Sequence, residues 1–214
     1  MRKLFFAAAA ALVLAGCTYE RTGSPSLHYN EFDSLPPRGN SVTVCHAYGC
    51  QEQTRFRFTS ADIAKIRNII RTTKKADTPH EERRGIAYAI AWMEKRVGKE
   101  IGTDKDRPGM DFAASGDPTQ QDCVDEATNT TSYLLVMQHN NLLKHHRVAR
   151  PFSKGNILMG VKYWPHWTAV LVENETGQRY AVDSWIYENG VNPAVVKAEE
   201  WYIDDLDNLP DATM

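Results

Sequence analysis

The apolar positions of the chain fall into a short continuous run, a polar gap and then a long stretch of alternating periodicities. Residues 4–14 are apolar without interruption and follow the charged Met1-Arg2-Lys3. Such a run is too short to span a bilayer and has the form of a signal peptide, expected over residues 1–16. Residues 17–40 are polar and contain Pro25, Pro36 and Pro37, which predicts an extended tether. The folded domain is expected over 41–214. Its first strands are predicted at 41–44 and 54–58, where Arg55-Phe56-Arg57-Phe58 alternates with period two.

Helical spacing then takes over. Ile63, Ile66 and Ile70 share one face of a helix capped by Thr59 or Ser60 and running to about Thr73. Thr78-Pro79-His80-Glu81 has the form of a capping box with proline at the first helical position. Ile86, Ile90, Met93 and Val97 line that helix, and Gly98 is expected to close it. Residues 81–84 read as a charged outer face, with His80 solvated. Residues 98–121 lack hydrophobic periodicity, and a loop of that length is often functional.

The loop ends at Gln120-Gln121-Asp122-Cys123-Val124-Asp125-Glu126-Ala127. From Cys123 the apolar positions Ala127, Leu134 and Leu135 mark a central helix reaching about His139, with Asn140-Asn141 as its stop. His145 and His146 are adjacent, point oppositely on a strand and are poorly placed to share a metal. Residues 167–172 and 179–185 are two strands joined by Asn174-Glu175-Thr176-Gly177, a hairpin signal. If the turn pairs Val172 with Arg179, Asp183 falls opposite Thr168 and His166 is its diagonal neighbour on one face. A slip of one residue would separate them. The tail from Ile186, with Trp201, is expected only to cover a sheet edge.

Composition narrows the class. The 214 residues carry a formal net charge of −2, so no basic nucleic-acid surface is present. About 198 residues remain after the signal peptide, enough for one domain. Leu14-Ala15-Gly16-Cys17 resembles a bacterial lipobox, which implies cleavage before Cys17, a lipid on its sulfur and stable membrane attachment. With Thr18 next, the resemblance implies the periplasmic side of the outer membrane. Cys45 and Cys50 flank a turn containing Gly49, and in an oxidising compartment they read as a local disulfide. A zinc site of Cys45, His46 and Cys50 is the rival, and it lacks a fourth ligand at usual spacing. Cys123 is then left without a partner.

An unpaired cysteine at a helix start has chemical consequences. The free N–H groups and positive dipole end there favour thiolate, the reactive form. The same N–H groups, with Cys123 and Gln121 as candidate donors, would stabilise an oxyanion. A thiol nucleophile needs a base, and the base needs a group to orient it. In chain order the candidates are Cys123, His166 and Asp183. Trp164, Trp167 and Trp185, near Tyr163, form a candidate aromatic groove.

Asp122-Cys123-Val124-Asp125, Pro165-His166-Trp167-Thr168-Ala169-Val170 and Ala181-Val182-Asp183-Ser184-Trp185 together resemble the transglutaminase-like superfamily, and within it the bacterial transglutaminase-like cysteine peptidases. The resemblance covers about residues 79–185. It implies an α+β, papain/transglutaminase-like fold in which the helix carrying Cys123 packs on an antiparallel sheet. It also implies that Cys123 is nucleophile, His166 base then acid, and Asp183 orienter. Animal transglutaminases have Gln and Trp around the cysteine, where this chain has Asp122 and Val124. Some peptidases of the group bind calcium through acids near the cysteine; here Asp125 and Glu126 are expected as solvated first-turn acids. No cofactor or metal is expected.

The resulting expectation is a lipid-anchored periplasmic cysteine peptidase or amidase acting on a protein or a peptidoglycan peptide. An acyl/amine transferase of transglutaminase type and a non-catalytic lipid-anchored binding module are the alternatives. Cell-wall amidases of the NlpC/P60 kind usually end their triad on a second histidine, where this chain offers Asp183. Arylamine acetyltransferases share the Cys-His-Asp order but are cytosolic and use coenzyme A.

Overall fold

The computed structural model describes residues 22–155 and 165–203. The signal peptide, Cys17, Tyr163 and Trp164 lie outside the described residues. The elements in order are α1 (Ser26–Glu31), β1 (Ser41–His46), β2 (Glu52–Arg57), α2 (Ser60–Thr73), α3 (Pro79–Ile101), α4 (Cys123–His139), β3 (His146–Lys154), β4 (His166–Glu173), β5 (Arg179–Asp183), β6 (Ala194–Lys197) and α5 (Ala198–Ile203). The protein is α+β, with β1 and β2 as an antiparallel pair and β3-β4-β5-β6 as a four-stranded antiparallel sheet. Among the described residues no helix is long and apolar enough to cross a membrane.

The helix beginning at Cys123 is the central element. It touches β1 on one side and β3, β4 and β5 on the other, and most of its residues are buried. Leu134 and Met137 meet Ala169, Leu171 and Val182 of the sheet and Ile86, Ile90 and Met93 of α3 in one core. Complete burial of each such side chain contributes about 1.5–3 kcal/mol. The other face of the sheet has a smaller core, in which Phe152, Val170, Val172 and Ala181 pack on Trp201 of α5. Strand alternation therefore assigns odd positions of β4 to the α4 side and even positions to the α5 side.

The β4–β5 register is the one that the turn residues predict: Val172 pairs with Arg179 and Ala169 with Val182. Several other expectations need correction. The tether ends earlier than residue 40, because α1 is folded and its His28 and Tyr29 are fully buried. His28 Nε2 meets Thr128 Oγ1 at 2.9 Å and the Tyr29 hydroxyl meets Ser132 Oγ at 2.8 Å, so α4 satisfies both polar groups. Gly98 does not end α3; Gly102 does, at φ 93°. Gly98 is instead a close-approach site, where a Cβ would meet Asp104 N and Cα at 3.0 Å.

Glu82 is not on a solvated face. It is fully buried and accepts from the backbone N–H groups of Lys144, His145 and His146 at 2.9, 2.8 and 3.1 Å. His146 Nδ1 also lies 3.0 Å from it, while Arg83 donates to His146 Nε2 at 3.1 Å. Arginine can only donate, so the His146 proton is on Nδ1 and points at Glu82. These contacts outweigh desolvation and hold the Glu82 carboxyl down at about 2. The tail is more than an edge cover: it supplies β6, paired with β5, and α5 behind the sheet.

Candidate active site

Asp122 is the N-cap of α4. Its Oδ1 accepts from Val124 N at 3.1 Å and Asp125 N at 3.0 Å, and the Asp125 side chain returns to Asp122 N at 3.2 Å. This reciprocal cap fixes where the helix begins and leaves Cys123 at its first position. Among the described residues the Cys123 N–H has no acceptor, so one donor at the helix start remains uncommitted.

The Cys45–Cys50 disulfide is formed, and its loop is built against this cap. Ala47, Tyr48, Gly49 and Cys50 all adopt positive φ, between 58° and 71°. Successive left-handed residues turn their N–H groups inward. Tyr48 N and Cys50 N donate to Asp125 at 2.8 and 2.6 Å, and Gly49 N donates to Asp122 at 3.0 Å. Asp125 is thus fully buried and engaged rather than solvated, and Glu126 is buried as well. Asp125 and the two sulfurs lie close together, but the sulfurs are bonded to each other and the carboxylate is taken by N–H donors, which excludes the zinc alternative in this geometry.

Gln121 is not available as an oxyanion donor. Its N–H is given to Asp106 Oδ1 at 2.7 Å and its side-chain amide to Cys45 O at 3.0 Å. The backbone N–H of Cys123 is the donor that remains.

His166 is the first residue of β4, and Asp183 the last of β5. Both stand on the α5 face, with His166 Nε2 2.6 Å from Asp183 Oδ2. A carboxylate accepts, so Nε2 carries the proton and Nδ1 presents its lone pair. His166 Nδ1 is buried and has no hydrogen-bond partner among the described residues. The imidazole contacts two indoles, 4.6 Å from the Trp185 ring and 5.3 Å from the Trp201 ring. Trp201 was not distinguishable in the sequence from any other tail aromatic. Its Nε1 donates to the same Asp183 oxygen at 2.7 Å.

Cys123 has its sulfur at the same end of β4, beside Pro165. Its thiol donates to Pro165 O at 3.6 Å, one residue from His166, rather than to the ring. Ala127, Trp167 and Trp185 enclose it, with Phe32, Met110, Val124 and Ile186 around them. The sulfur's residue is only 2% exposed. Trp167 and Trp185 therefore stand beside Cys123 as expected of a wall, but here the wall is closed. The expected thiolate is overturned: burial, then the charge of Asp122, push the Cys123 thiol far up. The Trp167 backbone N–H pulls the other way and is outweighed. At rest the group is a neutral thiol.

Comparison with known proteins finds no matching family model, no matching curated protein and no matching solved structure. The chemistry is therefore read from the geometry alone. That geometry brings Cys123, His166, Asp183, Trp167 and Trp185 to one end of the sheet.

A second group of acids lies beside them. Glu94 of α3, Asp106, Asp125 and Glu126 are all buried. Desolvation raises Glu94 and Asp106 each to about 7. It also holds Asp125 and Glu126 well above the usual carboxylate range, with Asp122 and Glu94 adding repulsion to the two respectively. Three N–H donors on Asp125 offset part of that rise.

Proposed function

We propose that this chain is a transglutaminase-like thiol hydrolase, a cysteine peptidase or amidase, that uses Cys123, His166 and Asp183. The observation that carries the reading is the His166–Asp183 pair at 2.6 Å, with a bare Nδ1 at the strand end that adjoins the Cys123 sulfur. Binding alone gives no reason for an oriented, buried imidazole next to a helix-start cysteine.

In this mechanism the substrate displaces part of the aromatic cover. The Cys123 proton passes to His166 Nδ1 and the sulfur attacks the carboxamide carbon. The Cys123 N–H and the helix dipole hold the oxyanion. His166 returns its proton to the leaving amine, and Asp183 supports the imidazolium through Nε2. Water attacks the thioester, with Nδ1 taking its proton, to release acid and restore the thiol. An amine in place of water gives transfer, and the closed wall of Trp167 and Trp185 governs which of them enters. Because Cys123 rests as a neutral thiol, His166 acts as a general base at the moment of attack. The papain/transglutaminase-like fold, the lipid on Cys17 and a location on the periplasmic side of the outer membrane belong to the same proposal.

The absence of a thiol–imidazole hydrogen bond favours one competing reading, a lipid-anchored binding module. Incubating envelope proteins and purified peptidoglycan with wild type and Cys123→Ala separates the two. Mass spectrometry should find new chain ends or new crosslinks only with wild type, and hydroxylamine should be incorporated at the acyl carbon. Equal products from Cys123→Ala refute the nucleophile. No products from wild type, together with a thiol that alkylates only after unfolding, establish the binding module.

A further inference from the structure

We propose that Trp201 is a positioning residue of the catalytic group, its indole N–H fixing the Asp183 oxygen that holds His166. This inference rests on the hydrolase reading of Cys123, His166 and Asp183. Asp183 Oδ2 accepts two hydrogen bonds, from His166 Nε2 at 2.6 Å and Trp201 Nε1 at 2.7 Å. The second bond ties down the carboxylate from the side away from α4. Without it, Oδ2 is held by the imidazole, the group that Asp183 is meant to orient.

Trp201 is built into place rather than resting there. It is fully buried, and Phe152 meets its ring edge-on at 5.2 Å and 85°. Lys154 Nζ donates to the Trp201 carbonyl at 2.6 Å and stands 4.5 Å from its ring centroid. Lys154 is the cross-strand partner of His166, so one β3 residue locates the helix that locates the carboxylate. The Trp201 ring is tilted 34° to the imidazole, and the Trp185 ring 36° on its own contact. The two indole π-systems and the Asp183 carboxylate all favour the imidazolium that forms during attack. The indole N–H has a further effect. By fixing the carboxylate it keeps Asp183 aimed at Nε2, which leaves Nδ1 turned away from Asp183.

The test compares full-length wild type, Trp201→Phe and His166→Ala. Trp201→Phe keeps an aromatic ring for the stack and removes the donor. The readout is the pH–rate profile for alkylation of Cys123 by iodoacetamide. Loss of one hydrogen bond to the carboxylate should move the midpoint of that profile up by about half to one pH unit. The rate at pH 7 should fall by roughly threefold to tenfold on the same scale. A role in packing alone would change the melting temperature and leave the midpoint in place, and that result overturns the proposal. A second measurement needs no variant at position 201 to fold: in wild type the Trp201 indole N–H resonance should move as the His166 ring resonances titrate. An indole signal that stays fixed also overturns the proposal. If His166→Ala leaves Cys123 alkylation unchanged, the hydrolase reading itself has failed, a result distinct from a failure confined to Trp201.

Discussion

The buried acids around the start of α4 should make the fold less stable as pH rises through neutrality. Glu94 goes from an ordinary value of 4.5 to about 7 in the fold, and Asp106 from 3.8 to about 7. Within those windows the folded chain holds protons that the unfolded chain has released, so stability falls as pH rises, and Asp125 and Glu126, also held above the usual range, add to the fall. A rise of this size at Glu94 corresponds to about 3 kcal/mol when fully developed. Asp106 adds an amount of the same order, reduced by its interaction with the other acids. The perturbation is Glu94→Gln, which retains a carbonyl to accept from the Gly190 N–H, now at 3.0 Å, and has no charge to develop. The assay is the urea midpoint at pH 5.5 and pH 8. With a denaturant slope of about 2 kcal/mol/M, wild type should lose about 1.5 M or more between these pH values. Glu94→Gln should lose measurably less, by roughly 0.5–1 M on the same scale, with Asp106, Asp125 and Glu126 supplying the remainder. A wild-type midpoint that is flat or rises with pH, or an unchanged slope in the variant, would refute the claim that Glu94 is buried in its protonated form.

Other expectations concern the scaffold. Glu82→Gln keeps one oxygen for the His145 and His146 N–H groups but turns an NH2 toward the Lys144 N–H and removes the charge, so stability in urea titration should fall by about 1–3 kcal/mol; because the Glu82 carboxyl is held at about 2, the wild type should lose this contribution as pH falls from about 4.5 through 2. Gly85→Ala gains up to about 1 kcal/mol of helix propensity. Its Cβ would meet Ile70 O at 3.1 Å and Ile70 Cα at 3.2 Å, so a net loss of about 1–2 kcal/mol is expected, and a gain in melting temperature would contradict the packing. Cys45→Ser with Cys50→Ser should cost about 2 kcal/mol by the loop-entropy estimate, plus the slackening of four left-handed residues; a urea midpoint within 0.3 M of wild type, roughly 0.6 kcal/mol, would show that the Asp125 contacts suffice alone.

The sequence carried the local features well. Isoleucine spacing located α2, the change from polar loop to helix at Cys123 and the stop at Asn140-Asn141 bracketed α4, and the turn residues set the β4–β5 register that brings His166 to Asp183. Each of these is written within a few residues, where periodicity and capping operate. Apart from the end of α3, at Gly102 rather than Gly98, the losses were tertiary. Glu82, Asp125 and Glu126 look like solvated helix acids until β3, the disulfide loop or α3 is placed over them. The α1 helix lacks a side-chain cap and sits in a proline-bearing polar stretch, and tertiary contacts with Thr128, Ser132, Trp167 and Arg150 make it part of the fold. The thiol's state followed the same pattern: a helix start favours thiolate, but enclosure by Trp167 and Trp185 beside Asp122 decides otherwise. Trp201 became visible only with β6 and α5 in place.

The spacing of the cysteines bears on how the chain folds in an oxidising setting. Cys45 and Cys50 are separated by 5 residues, whereas either is roughly fifteen times farther along the chain from Cys123, a difference in closure entropy of about 2 kcal/mol. In the unfolded chain the local pair is therefore favoured by a factor of several tens in effective concentration. The first bond to form is then the native one, and it forms before any helix or strand is needed. By the time α4 docks, neither loop cysteine retains a thiol to exchange with Cys123. Order of closure thus keeps Cys123 out of exchange with the loop cysteines until the aromatic wall encloses it.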